Sequence, residues 1–183
     1  MKGVVFNLLE EVVTRYHGAA AWDGLLEATG LDGIYTSLGS YPDEQLRELI
    51  AAAGQAFQMP GAEVLRWFGR EAMPMLAQRY PALFEPHRST RSFVVSVNSI
   101  IHPEVRKLYP GAVTPEFEFK DTPSGGLLMR YQSPRRLCML AQGFVEGAAQ
   151  HYGEQVEFEQ RECMHQGAAA CLCHMTFHPE GAA

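Results

Sequence analysis

The sequence has no apolar run approaching the roughly 18 residues that a membrane-spanning helix needs. Its opening, Met1-Lys2-Gly3-Val4-Val5-Phe6-Asn7-Leu8-Leu9, is cut short by Glu10 and Glu11 and has no small-residue cleavage site. No secretory signal is read there, and a cytoplasmic location is expected. Basic residues are in deficit. The chain has 15 Lys and Arg against 21 Asp and Glu, a formal net charge of −6. That argues against nucleic acid as the main partner, because binding phosphates needs a basic surface. The motifs Gly-x-Ser-x-Gly, Gly-x-Gly-x-x-Gly and His-Glu-x-x-His are missing, and so is a Walker A loop. Repeats, low-complexity linkers and long charge runs are also lacking. Cysteine is scarce, with four in 183 residues, but the four are clustered late: Cys138, Cys163, Cys171 and Cys173. In a reducing compartment, grouped thiols are more often metal ligands or redox groups than structural disulfides.

The rest of the composition is that of an ordinary globular protein, 46% hydrophobic and 20% charged. The length suits one domain over residues 1–183, with a helical part over about 1–65 and a mixed part over about 66–183. Val5, Leu8, Leu9, Val12 and Tyr16 recur with helical spacing, which predicts a helix over 4–16. Further helices are predicted over 22–28, over 43–57 after Pro42, and over 62–68, where Pro74 should limit extension. Residues 89–108 carry the longest periodic stripe, and Pro103 should kink or break it. Beyond Tyr109-Pro110-Gly111 the period changes to two. Strands are predicted at Phe117 and Phe119 and over 127–131, joined by the turn Pro123-Ser124-Gly125-Gly126. A helix over 137–152 and a closing hairpin, 156–161 with 171–177, complete an α+β domain: helices first, then an antiparallel meander packed with helices.

Two features after residue 100 carry chemistry. In an extended chain Tyr131, Ser133 and Arg135 face one side. Two hydroxyls and a guanidinium fork suit a pair of carboxylates or a phosphate, though the same residues also suit an exposed turn. His102 lies at the edge of the apolar stripe beside Pro103. It is either an imidazole ligand or a histidine satisfied by Asn98 or a backbone carbonyl at the kink.

His102, Pro115 and Tyr131-x-Ser133-x-Arg135, in that order and spacing, resemble the haem-nitric-oxide/oxygen-binding (H-NOX) family, which is related to the haem domain of soluble guanylate cyclase. Met1-Lys2-Gly3, His17-Gly18, Trp67-Phe68-Gly69 and Leu108-Tyr109-Pro110-Gly111-Ala112 carry the likeness over nearly the whole chain. The resemblance implies haem b buried between the two parts, with His102 as the iron ligand and the two propionates held by Tyr131, Ser133 and Arg135. It also implies that Pro115 presses on the macrocycle, although a proline at a strand start reads the same way. Pro103 departs from the family pattern, in which the ligand's helix runs straight through. Oxygen-binding members place a tyrosine hydroxyl where this chain has Leu140, and supporting polar groups where it has Leu9 and Ala72. With Val5, Met73, Leu76 and Phe144 completing an apolar wall, the implied ligands are NO and CO, with O2 not stably bound.

A subset of the family uses C-terminal cysteines for zinc or oxidant sensing. The resemblance thus implies a possible Zn2+ site of Cys138, Cys163, Cys171 and Cys173, with His165 or His174 as substitutes and buried free thiols as the plain alternative. No effector region is read in the chain, so the resemblance implies a separate histidine kinase or cyclic-di-GMP enzyme as partner. The rival readings are a thiol or zinc redox sensor with a structural haem, and a haem enzyme. An enzyme of the peroxidase kind needs a distal His or Arg, for which the sequence offers no candidate.

Overall fold

In the computed structural model, which describes residues 1–179, periodicity and breakers set the first three helices. Helix α1 (Gly3–His17) buries Phe6, Leu9, Val12 and Val13. Helix α2 (Ala19–Thr29) stops where Gly30 adopts the left-handed conformation that other residues avoid. Helix α3 (Asp43–Ala56) follows Pro42 and places Asp43 and Glu44 in its first turn, where the helix dipole favours negative charge. Leu46, Leu49 and Ile50 of α3 join Phe6, Leu9 and Trp22 in one apolar cluster.

Helix α4 (Gly61–Arg79) corrects the expectation of a short helix limited by Pro74. A proline inside a helix removes one backbone donor, here the partner of the Arg70 carbonyl. That carbonyl lies against Gly147 of helix α7 (Cys138–His151), where a Cβ atom would overlap it. Gly143, one turn earlier, meets the Arg66 carbonyl in the same way. The two helices thus approach backbone to backbone, and dense packing holds α4 together through its proline.

The stripe over 89–108 is divided. Helix α5 (Thr90–Val95) is capped by Ser89, whose Oγ accepts from the Ser92 N–H at 3.2 Å. A π-helical turn (Val97–Ile101) follows, and the Ser96 carbonyl accepts from both Ile100 and Ile101, at 2.8 and 3.3 Å. Helix α6 (His102–Leu108) then begins, with Pro103 in its first turn, where a missing donor costs least. The break thus falls immediately before His102.

Strands β1 (Glu116–Asp121), β2 (Leu127–Gln132), β3 (Glu154–Glu162) and β4 (Cys171–Pro179) form an antiparallel sheet in the order β1-β2-β4-β3. One face buries Leu127, Met129 and Tyr131 of β2 together with Cys171, Cys173 and Met175 of β4. Val145 and Ala148 of α7 pack with that face, so α7 lies between the sheet and α4. The architecture is α+β, as the sequence implies. Among the described residues, no helix is long and apolar enough to cross a membrane.

Candidate functional site

Between α1, α4, α7, the π turn and the sheet lies a cavity of about 440 Å3. Its walls are mostly apolar side chains. Val5 and Leu8 come from α1, Met73 and Leu76 from α4, and Leu140 and Phe144 from α7. The site residues read from the sequence converge here: His102, Pro115, Tyr131, Ser133 and Arg135 all line this one cavity. Leu9, also read from the sequence as a pocket residue, is not part of this lining. On α1 it is one residue, about 100° of helix, beyond Leu8, and it is fully buried in the helical core. Ala72 likewise belongs to that core and not to the cavity wall.

His102 opens α6, and its ring centroid is 5.8 Å from that of Phe117 on β1. Neither ring nitrogen has a hydrogen-bond partner among the described residues. Asn98, which could have satisfied it, donates its side-chain N–H to the Phe117 carbonyl instead. Burial, helped by the Arg106 charge, pulls the His102 pKa down to about 4. At neutral pH this is an uncharged imidazole with a free lone pair, the form that ligates a metal.

The polar end of the cavity is built around Arg135. Its Nε donates to Asp43 Oδ2 at 2.8 Å and its Nη1 to the Val113 carbonyl at 2.8 Å. Nη2 keeps no partner among the described residues and stays available for an anion. Asp43 also accepts from the Met1 amino group at 2.6 Å. Burial would push the Asp43 carboxyl up, but these two cations hold it below the usual carboxylate range. Ser133 Oγ accepts from the Arg135 backbone N–H at 3.2 Å, and the Tyr131 hydroxyl accepts from the Leu137 N–H at 3.0 Å. Burial raises the Tyr131 phenol, against the lowering effect of the bonds from Ser133 and Leu137, so its proton stays available to donate. Asp43 was missed from sequence because its place after Pro42 reads fully as a helix start.

The cysteines form a second centre. Cys138, Cys163 and Cys171 bring their sulfurs within 4.8 Å of one another, with Cys163 and Cys171 at 4.0 Å. Cys173, the fourth cysteine read from the sequence, is not brought into the group. It shares a strand face with Cys171, but a step of two residues along a strand is about 6.6 Å, and it packs with Met129 and Met175. The substitutes are engaged elsewhere: His165 Nε2 meets the Arg136 carbonyl at 2.8 Å, and His174 Nε2 meets Thr122 Oγ1 at 3.2 Å. Burial pushes the Cys138 and Cys171 thiols up. It pushes the Cys163 thiol up as well, but backbone N–H groups at His165 and Gln166 and the neighbouring thiols hold Cys163 below its ordinary value. The cluster packs against Tyr131, whose register partner on β4 is Cys171.

An apolar chamber with a neutral imidazole in one wall and a guanidinium with two hydroxyls at one end fits an amphiphilic iron macrocycle bearing carboxylates; this is the design of a haem-binding domain. A model of the haem-NO-binding family matches residues 2–160, and the chain belongs to that family. It is similar to an H-NOX protein from S. oneidensis solved as a crystal structure in the Fe(II)NO state, with 33% identity, a TM-score of 0.91, and coverage of 97% of this chain and 99% of that one. An NMR structure of the Shewanella oneidensis SO2144 H-NOX domain in the Fe(II)CO state is 34% identical, with a TM-score of 0.88 and coverage of 97% and 99%. The H-NOX protein from K. algicida shares the fold, with a TM-score of 0.87 at 22% identity over 100% of both chains. A comparison with curated protein sequences returns no match.

Proposed function

We propose that this protein is a nitric oxide sensor that holds haem b on His102 and signals through a separate protein. The observation that carries the reading is the His102 imidazole, without a hydrogen-bond partner among the described residues, in the wall of a mostly apolar cavity that Tyr131, Ser133 and Arg135 also line. Ferrous haem, when bound, would supply an iron that takes NO or CO. Tyr131, Ser133 and Arg135 would hold the propionates, with Asp43 fixing the Arg135 fork in place. Pro115 would bear on the edge of the macrocycle from just ahead of β1.

Selectivity follows from hydrogen bonding. Bound dioxygen is polarised and needs a donor to be retained, whereas NO gains little from one. Val5, Met73, Leu76, Leu140 and Phe144 offer none; of the phenols of Tyr80 and Tyr109, which also line the cavity, one donates its proton to the other. The Fe(II)NO and Fe(II)CO states of the Shewanella relatives support the choice of ligands. Ferrous protein exposed to air is expected to form no stable oxygen complex, while NO and CO each give a shifted absorption spectrum. A persistent oxygenated spectrum in the unmodified protein refutes this reading.

Release of His102 would let α6 shift on the π turn behind it, changing the surface presented to the partner. A histidine kinase or a cyclic-di-GMP enzyme is the proposed partner class, on the family resemblance. NO-dependent change of a purified kinase's or cyclic-di-GMP enzyme's activity on adding this protein tests it.

The thiol cluster favours a second input. We propose that reduced protein binds about one zinc per chain through Cys138, Cys163 and Cys171, leaving the fourth tetrahedral position to a small exogenous ligand. Cys171→Ala is expected to abolish zinc binding, whereas Cys173→Ala retains it, both read by metal analysis after purification without chelators. Equal loss in both variants would return Cys173 to the ligand set.

A further inference from the structure

Helix α6 is tied at its two ends and, between them, by Arg106 Nη1, which donates to Thr114 Oγ1 at 2.7 Å. None of its residues is buried, and the Ser99 carbonyl behind it has lost its usual helical donor to Pro103. At the leading end, the π turn is tied to β1 by the Asn98 side chain and to α5 through Ser96. At the trailing end, α6 stops at Tyr109, which leaves helical geometry and turns its ring inward to 8% exposure. The Tyr109 hydroxyl is hydrogen-bonded to the hydroxyl of Tyr80, the residue that ends α4. Both rings line the cavity. One phenol–phenol bond therefore links the helix that carries His102 to the helix that carries Met73 and Leu76. Burial and the bond to Tyr80 hold the Tyr109 pKa up to about 12, so the Tyr109 phenol stays protonated at any physiological pH.

We propose that the Tyr80–Tyr109 pair is a latch that restrains α6 and sets how readily His102 leaves the iron when NO binds. The second half of this inference rests on the sensor reading above; the first half does not. Both tyrosines act as positioning residues, through the mobility of the helix and not by touching the gas. Because no residue of α6 is fully buried, a single hydrogen bond at its end has leverage over it that it would lack in a packed helix.

The test uses haem-loaded ferrous protein and the variants Tyr80→Phe, Tyr109→Phe and the double substitution. Each keeps the ring and removes only the hydroxyl. Without NO, hydrogen exchange at the amides of residues 105–109 is expected to quicken about three- to tenfold in either single variant. The double variant is expected to be no faster than the faster single, because all three lose the same bond. Exchange in α3 should not change. Unchanged exchange at 105–109, additive effects in the double variant, or equal acceleration in α3 would each overturn the latch. On adding NO, the rate at which His102 leaves the iron, followed by stopped-flow absorption, is expected to rise by a similar factor. An unchanged release rate overturns the role in signalling. Failure of the sensor reading itself is seen separately, as an unmodified protein that binds no NO, whatever the exchange result.

Discussion

His102→Gly protein is expected to lose the absorption signature of histidine-ligated ferrous haem and to retain haem at least about tenfold more weakly. Added imidazole should restore the signature, because the glycine leaves a space of the ring's size in a wall that otherwise keeps its shape. The expectation rests on three facts. The ring is half-buried against Phe117, its nitrogens are not committed to other partners, and it is uncharged. Among the described residues no second histidine lines the cavity to take over. An unchanged spectrum in the variant would remove His102 from the iron and with it the proposed route from gas binding to α6. Recovery with imidazole distinguishes a missing ligand from a collapsed pocket.

Gly143→Ala is expected to have the largest effect on stability, a loss of about 3 kcal/mol or more with a matching fall in haem content. A methyl group at this position would overlap the backbone carbonyl of Arg66, and a backbone carbonyl cannot swing aside as a flexible side chain can. The helices α4 and α7 would have to part, and both supply walls of the cavity. Gly24→Ala in α2 is the control. No atom lies within 4 Å of its would-be Cβ, so it should be neutral or stabilising by up to about 1 kcal/mol. Urea unfolding of the two variants beside the parent decides the matter. Equal midpoints for Gly143→Ala and the parent would refute the close approach.

Most of the elements were legible because their signals are local. The apolar spacing of α1 and α3, the alternation at Phe117 and Phe119 and the glycine turn before β2 need no knowledge of the rest of the chain. Helix α4 was not, because Pro74 is a local stop signal that tertiary packing overrides. Only the meeting of the Arg66 and Arg70 carbonyls with Gly143 and Gly147, far along the chain, shows why the helix persists. The convergence of His102, Pro115 and Tyr131-x-Ser133-x-Arg135 on one cavity matches the spacing argument. Leu9 shows its limit: periodicity says that Leu8 and Leu9 are both inward, but not which of two adjacent inward directions meets the cavity. Cys173 shows another. Alternation places it on the face of Cys171, yet the distance along the strand decides whether two thiols can share an ion. Asp43 and Tyr80 left no distinguishing signal, since each reads as an ordinary helix-end residue until its partner, Arg135 or Tyr109, is brought to it by the fold.

The sheet order leaves β1 and β3 as its two open edges. Each has a row of backbone donors and acceptors that another chain could pair with. Their outward positions are rich in glutamate, with Glu116 and Glu118 on β1 and Glu157 and Glu159 on β3. A strand from a second copy laid in a register that opposes these glutamates would set carboxylate beside carboxylate, and like charges opposed across strands are destabilising. That narrows the registers in which two identical edges can pair. The acid balance of the sequence, which first spoke against nucleic acid, in this way also restricts how its two sheet edges can meet a second copy.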